Sequence, residues 1–220
     1  MSYLLGKMIA EIKKHVLLSP KVESALASVD RAEFVPSSWK LNAYSLDALP
    51  MSNSQWISSP LTVAIMTEAL LSEGGESVLE IGCGSGYQAM VLSRLFDRVF
   101  SIERIEKLLV EAKRRFHKLN AHNVFAKLGD GQEGWSEFAP FDAILFSACA
   151  REIPQSLIDQ LKVGGVLLAP ILQDEKTNTQ AICRFVKVGD SLSAPVVVTQ
   201  CSFVNIHNGV VRGTQLEHVF

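Results

Sequence analysis

The first feature able to do chemistry is a glycine run between two apolar segments, Glu80-Ile-Gly-Cys-Gly-Ser-Gly-Tyr87. Glycine lets a backbone approach a ligand with no Cβ in the way. The dinucleotide fingerprint is G-x-G-x-x-G, with pyrophosphate held at the following helix N-terminus. Here the spacing is G-x-G-x-G, and Tyr87 occupies the place of the last dinucleotide glycine. That tighter spacing suits a nucleoside with no phosphate across the turn. Two carboxylates fit such a ligand. Glu103 comes 21 residues after Gly82 and closes the next apolar segment. An acid there can accept from both ribose hydroxyls. Asp130, between Gly129 and Gly131, is placed to accept from an adenine amino group. Glu80, beneath the turn, is placed to face a ligand ammonium. The plainer account makes the glycines a tight turn and the two acids surface residues. Cys83 reads as a small turn residue, since nothing nearby in sequence would activate its thiol.

These residues need a frame to hold them. Residues 61–170 alternate helix-length and strand-length segments. Helices are expected at 61–71, 87–96, 104–119 and 154–161, and strands at 77–81, 99–102, 123–128, 142–147 and 166–170. Strand–helix alternation implies a parallel sheet covered on both faces. Ligands of such sheets bind beyond the carboxyl ends of the strands. Before this region, Leu4, Leu5, Met8, Ile9, Ile12 and Val16 form one helical stripe. After it, residues 181–188 and 194–204 read as strands joined at Gly189-Asp190. The expectation is one domain: an N-terminal helical and loop subregion (1–60), a core (61–170) and C-terminal strands (171–220).

Composition sets bounds. At 220 residues, 48% hydrophobic and 20% charged, the chain can fold around its own core without disulfide or metal support. A net charge of −2 and no polybasic stripe disfavour nucleic acid as partner. Lys113-Arg114-Arg115 reads as a solvated helix face, and His117 as a cation near a helix C-terminus. The four cysteines are scattered and the five histidines form no H-x-x-x-H pair, so no metal site is expected. No apolar run approaches a membrane span, and the first 20 residues lack the apolar core of a signal peptide. The scattered cysteines fit a reducing cytosol. Trp39, Trp135, Phe141 and Phe146 read as packing residues.

Taken together, the sequence resembles the protein-L-isoaspartate O-methyltransferase family of S-adenosylmethionine-dependent enzymes. The resemblance runs from about Ala25 to Gly213. It is carried by Ser28-Val-Asp-Arg-Ala-Glu-Phe-Val-Pro36, Ala43-Tyr44, Leu49-Pro50, Gln55, Ile57-Ser58 with Pro60, Val78 to Ala89, Val99 to Arg104, Gly129-Asp-Gly131, Pro140-Phe-Asp142, Ile153-Pro154, Gln160-Leu161 and Gly164-Gly165. It implies an α/β, Rossmann-like, doubly wound and mostly parallel sheet, with N-terminal helices and extra C-terminal strands. It implies methyl transfer from S-adenosylmethionine to the α-carboxylate of L-isoaspartyl residues in damaged proteins, without a metal. The ester then closes to a succinimide that reopens partly to aspartate, and the resemblance suggests a cytosolic monomer. The cofactor-binding set it implies is Glu80, Gly82, Gly84, Ser85, Gly86, Glu103, Arg104, Asp130 and Gly131. The substrate-binding set is Gln55, Trp56 and Ile57, and the catalytic serine falls on Ser58. A carboxylate acceptor is already ionised at neutral pH, so alignment rather than a strong base is required. Ser58 also has a structural reading, as N-cap of the helix at 61–71.

The chain departs from the family pattern at the acceptor end. Where the family has Gly-x-Gly-Gln-Thr, this sequence has Ser52-Asn-Ser-Gln-Trp56. Where the family has Phe-Val-Pro-Leu, it has Phe203-Val-Asn-Ile206. Two further readings therefore accompany the first: a methyltransferase with another carboxylate or small-molecule acceptor, and a cofactor-binding homologue without transfer activity.

Overall fold

The computed structural model describes residues 2–71 and 75–213. Two serine-capped helices lead the chain. In α1 (Tyr3–Ile12) the Ser2 side chain accepts from Leu5 N, and in α2 (Pro20–Ala27) the Ser19 side chain accepts from Val22 N. Each cap satisfies an N–H that the helix itself leaves unpaired. Leu5, Met8, Ile9 and Ile12 of α1 are buried. Leu4, expected on the same stripe, is 53% exposed, because the helical period turns it off the packed face. A short hairpin follows, β1 (Leu49–Pro50) against β2 (Trp56–Ile57), and then α3 (Pro60–Leu70).

The core alternates β3 (Gly75–Ile81), α4 (Tyr87–Leu92), β4 (Phe96–Glu103), α5 (Glu106–Lys118), β5 (Val124–Leu128), β6 (Phe141–Phe146), α6 (Gln155–Asp159) and β7 (Leu161–Asp174). Then come β8 (Thr179–Val188), the two-residue β9 (Ser191–Leu192) and β10 (Val196–Cys201). The large sheet runs β10-β8-β7-β6-β3-β4-β5, with β9 on β8. Strands β3 to β7 pair in parallel. β8 and β10 extend the sheet antiparallel. Strand order reverses at β3, which has β4 on one side and β6 on the other. A crevice beyond the strand ends at such a reversal is where ligands of this architecture sit.

Period-two alternation divides the core into two layers. Val78, Val99, Ala143, Leu145, Val166 and Leu168 pack with the helices α1 to α4. Leu79, Ile81, Phe100, Ile102, Ile144, Phe146 and Leu167 form the opposite layer with Leu157 of α6. Phe141 and Phe146 are fully buried there, and Trp135 packs edge-on against Phe100.

Two elements differ from the sequence expectation. The helix expected to reach residue 96 ends at Leu92, and Phe96 already opens β4. Phe96 pairs with Gly75, so its ring serves the sheet. The helix at 154–161 shortens, and β7 starts at Leu161, opposite Phe141. Gly164-Gly165 then forms a register shift inside one long strand instead of a turn before it. A Cβ on Gly165 would sit 2.8 Å from the Lys162 carbonyl oxygen.

Gly86 has φ +87°, and a Cβ there would lie 2.7 Å from the buried Phe116 ring. Gly189 has φ +61° with nothing within 4 Å. Gly86→Ala is therefore expected to destabilise by about 2–4 kcal/mol, strain plus overpacking, and Gly189→Ala by only about 1 kcal/mol. Urea unfolding at constant m-value separates the two.

Candidate active site

The glycine turn is built by its neighbours. Gly82 N and Cys83 N both donate to Ile102 O, at 2.9 and 3.2 Å, which lashes the end of β3 to β4. Gly82, Gly84 and Gly86 all have positive φ (93°, 53° and 87°). Glu103, 4% exposed, holds the turn open. Its Oε2 accepts from Gly84 N at 2.7 Å and its Oε1 from Ile105 N at 2.9 Å. Burial pushes its pKa up, opposed by those backbone N–H groups. The Arg104 N–H lowers the value as well, and a carboxylate offers about four acceptor sites in all. Arg115, expected on a solvated face, instead donates to Ser85 O at 3.2 Å and pairs with Glu111.

The turn opens into a cavity of about 880 Å³, counting the part open to solvent. Of the expected cofactor set, Glu80, Gly82, Gly84, Ser85, Glu103, Arg104 and Gly131 line it, as do Gln55, Trp56, Ile57 and Ser58. Gly86 lies beneath the turn as the cap residue of α4. Asp130 is not in the lining. Its Oδ1 accepts from Gln132 N at 2.9 Å and its Oδ2 from Gly209 N at 2.6 Å. The partner Gly209 belongs to a C-terminal strap that crosses the strand ends. Arg104 joins the same tie, donating to the carbonyls of Gly209 and Asn208.

Glu80 is a strongly perturbed carboxyl in the cavity lining. It is fully buried on the helix-side face, directly opposite Ser101 in the β3–β4 register. Ser101 Oγ donates to its Oε2 and Ser147 Oγ to its Oε1. Burial dominates and pushes its pKa up to about 8, with the nearby Glu103 adding to the rise. Cys83 is also buried, and desolvation pushes its thiol well up, which suits a turn residue rather than a nucleophile.

On the opposite side, the structure separates the two roles open to Ser58. The cap of α3 is Ser59, whose Oγ accepts from Leu61 N at 3.2 Å. Ser58 lines the cavity and caps no helix, while its carbonyl accepts from Arg31 at 3.1 Å. Trp56, 55% exposed, forms one wall. Val204, Asn205, Ile206 and His207 of the strap line the same cavity.

The family pattern described as Protein-L-isoaspartate(D-aspartate) O-methyltransferase (PCMT) matches residues 5–210. The chain belongs to the protein-L-isoaspartate O-methyltransferase family. A relative of that name from Helicobacter pylori strain G27 is 54% identical over 203 residues, covering 92% of this chain and 96% of its own. The one from Parvibaculum lavamentivorans is 41% identical over 206 residues, covering 94% and 92%. A solved protein-L-isoaspartate O-methyltransferase superposes with TM-score 0.84 at 29% identity, over 94% of this chain and 67% of its own. The Plasmodium falciparum structure, solved with S-adenosyl-L-homocysteine, has TM-score 0.81 at 20% identity, over 92% and 98%, and shows the shared fold.

Against the family pattern, both departures fall on this one cavity. In the 51–55 loop, Gln55 N donates to Ser52 O, and Asn53 and Ser54 hold φ of 59° and 52°. The family's second glycine thus corresponds to a left-handed position that here carries a serine. Sequence reasoning passed over Arg31, Ser101 and Ser147. Ser101 and Ser147 are polar residues within or at the end of apolar strands, which is a legible signal; Arg31 carries none. Among the described residues, no cluster of three or more His, Cys, Asp or Glu is placed to hold a metal ion, and no helix is long and apolar enough to cross a membrane.

The capping assignment is testable by unfolding. Ser59→Ala should lose about 1 kcal/mol of stability, while Ser58→Ala should stay within about 0.5 kcal/mol of the parent. The reverse order would return the cap to Ser58.

Proposed function

We propose that the protein is an S-adenosylmethionine-dependent carboxyl methyltransferase acting on the α-carboxylate of L-isoaspartyl residues in damaged proteins. One observation carries this reading: a single cavity joins the glycine turn and its buried Glu103 to Ser58, a serine that caps no helix. The chain's own residues fit the donor. Gly84 has only Met51 Cε within 4 Å of where a Cβ would stand, so the turn offers the ligand a bare backbone face. Glu103 lines the cavity beside the turn, where its carboxylate can accept from the ribose. Glu80 is a buried carboxyl in the lining, suited to the cationic end of the ligand. Ser85, Gly82, Gly86, Arg104, Asp130 and Gly131 complete the assignment; Gly86 supports the turn from below and Asp130 anchors the strap. When bound, S-adenosylmethionine supplies an electrophilic methyl group on a sulfonium sulfur.

The acceptor half is Gln55, Trp56, Ile57 and Ser58. The Ser58 hydroxyl donates to the acceptor carboxylate and holds one of its oxygens in line. No side chain needs to remove a proton, because the acceptor is already ionised. Rate then comes from alignment and from exclusion of water. The reading treats residues 1–220 as one methyltransferase domain, working as a cytoplasmic monomer on isoaspartyl proteins. A second reading keeps the donor site and gives it a compact carboxylate acceptor. Trp56 favours it, because the indole lines the same cavity as Asn205 and His207.

Labelled S-adenosylmethionine should give base-labile methylation of an isoaspartyl peptide and not of its aspartyl isomer. Ser58→Ala should lower kcat about 10-fold or more with S-adenosylhomocysteine affinity unchanged. Labelling of both isomers, or of small carboxylates only, would overturn the isoaspartyl assignment.

Glu80 gives a pH signature. Its free-state pKa is raised to about 8, so it is mostly protonated at pH 7. A cationic ligand favours the ionised form and lowers that value. Binding therefore releases a proton, and S-adenosylmethionine affinity should rise with pH from 6 towards 8 and level off above. Calorimetry in buffers of different ionisation heat measures the release, and Glu80→Gln should abolish it.

A further inference from the structure

Arg31 is the largest fully buried side chain and is 0% exposed. A buried guanidinium is normally paired with a carboxylate. This one donates instead to four backbone carbonyls: Ala43 O at 2.7 Å, Ser45 O at 3.4 Å, Asp47 O at 3.0 Å and Ser58 O at 3.1 Å. All four belong to the segment that carries the acceptor side of the cavity. Its Nε has no hydrogen-bond partner among the described residues, and neither has the buried Tyr87 Oη. The Tyr87 ring lies 6.0 Å from the guanidinium carbon and itself lines the cavity. Burial lowers the Arg31 pKa to about 10, so the group stays charged at neutral pH.

Holding four carbonyls needs donors, not a net charge. A buried cation with no paired anion is costly, and it is most readily explained where an anion arrives during function. The group bonded to Ser58 is the cation nearest that residue by direct contact. We propose that Arg31 is the positioning residue of the acceptor half. Its fork fixes the 43–58 segment and the Ser58 backbone, and its charge favours a carboxylate over a neutral group at the acceptor subsite. This inference rests on the acceptor reading given above. Neighbouring groups divide by side. Asp47 lies close enough to support the guanidinium charge, and Tyr87 supports it too. Arg104, the arginine that lines the cavity, is tied to the strap.

The test uses protein loaded with S-adenosylhomocysteine and two peptides, one isoaspartyl and one with the α-carboxylate replaced by carboxamide. Binding of both is measured by calorimetry to the parent, Arg31→Lys and Arg31→Gln. Hydrogen exchange over residues 43–58 is followed alongside. The parent should prefer the carboxylate about 10-fold or more. Arg31→Lys should keep most of that preference, and Arg31→Gln should reduce it to within about twofold. Both variants should exchange faster across 43–58, with β3 to β6 unchanged and S-adenosylhomocysteine affinity within about twofold of the parent. Equal binding of the two peptides by the parent would overturn the charge role without any variant. Unchanged exchange in Arg31→Lys would overturn the positioning role. If the parent binds neither peptide, the isoaspartyl reading fails, and the exchange result alone then decides the positioning role. Should Arg31→Gln not fold, loss of carboxylate preference in Arg31→Lys would overturn the charge role.

Discussion

The Glu103 carboxylate governs the geometry of the cavity. It accepts from Gly84 N in the glycine turn and from Ile105 N at the start of α5. Hydrogen bonds to a charged acceptor are each worth about 1.5–3 kcal/mol, and here two of them act against burial that favours the neutral form. The turn needs this help. Three left-handed glycines in five residues have little conformational preference of their own, and folding must order them. With the turn pinned to the end of β4, the backbone of Gly82 to Ser85 presents one face to the cavity. The Glu103 side chain thus ties the start of α5 to a turn already lashed to β4 at Ile102 O.

A second polar layer lies directly behind the turn. Glu80 and Ser101 are cross-strand partners on a face otherwise filled by Val78, Val99 and Leu145. A protonated carboxyl satisfied by two serine hydroxyls is tolerable in such a layer, whereas an unpaired carboxylate is not. The same alternation that builds the helix-side core therefore delivers a titratable group to the ligand. It follows that the sheet stores, in its unliganded state, an unfavourable environment for charge that a cationic ligand relieves. Stability of the free protein carries the opposite pH sign from ligand affinity. The Glu80 pKa is raised on folding, so its contribution is full below the ordinary carboxyl range and is lost as pH rises towards about 8.

What could be read in the sequence was what local spacing determines. The alternating strands and helices, the glycine turn and the acid closing the second core strand all follow from periodicity and short-range chemistry. The fate of Asp130 did not. Gly-Asp-Gly promises an exposed carboxylate, yet the strap brings Gly209 N onto it from 79 residues away. The cap expected at Ser58 falls instead on Ser59, because Pro60 opens α3 and sets the residue before it as the cap. The end of α4 was misplaced because Leu95 and Phe96 extend the apolar helical pattern, while pairing with β3 claims Phe96 for the sheet. Arg31 was invisible for a related reason. Its four acceptors are carbonyls, which every residue carries, so no sequence pattern marks them.

The two halves of the cavity thus differ in how they are held. The donor half is organised by side chains reaching backbone a short way off, Glu103 to Ile105 and Ser85 to Tyr87, and by strand register. Such a site survives drift in loops. The half that holds Trp56 and Ser58 is instead built from a five-residue loop, a segment bonded to the Arg31 guanidinium and a strap from the far end of the chain. In that loop Ser54 accepts a left-handed conformation that costs about 1 kcal/mol for a residue with a Cβ. The loop is held in this shape by the β1–β2 pairing and by the Met51 to Gln55 hydrogen bond at 2.7 Å, not by its own preference. Specificity is therefore the property most exposed to substitution in this fold. The departures at Ser52 to Trp56 and at Asn205-Ile206 fall where the architecture restrains sequence least, while the donor machinery, bound into the sheet, has little freedom to change.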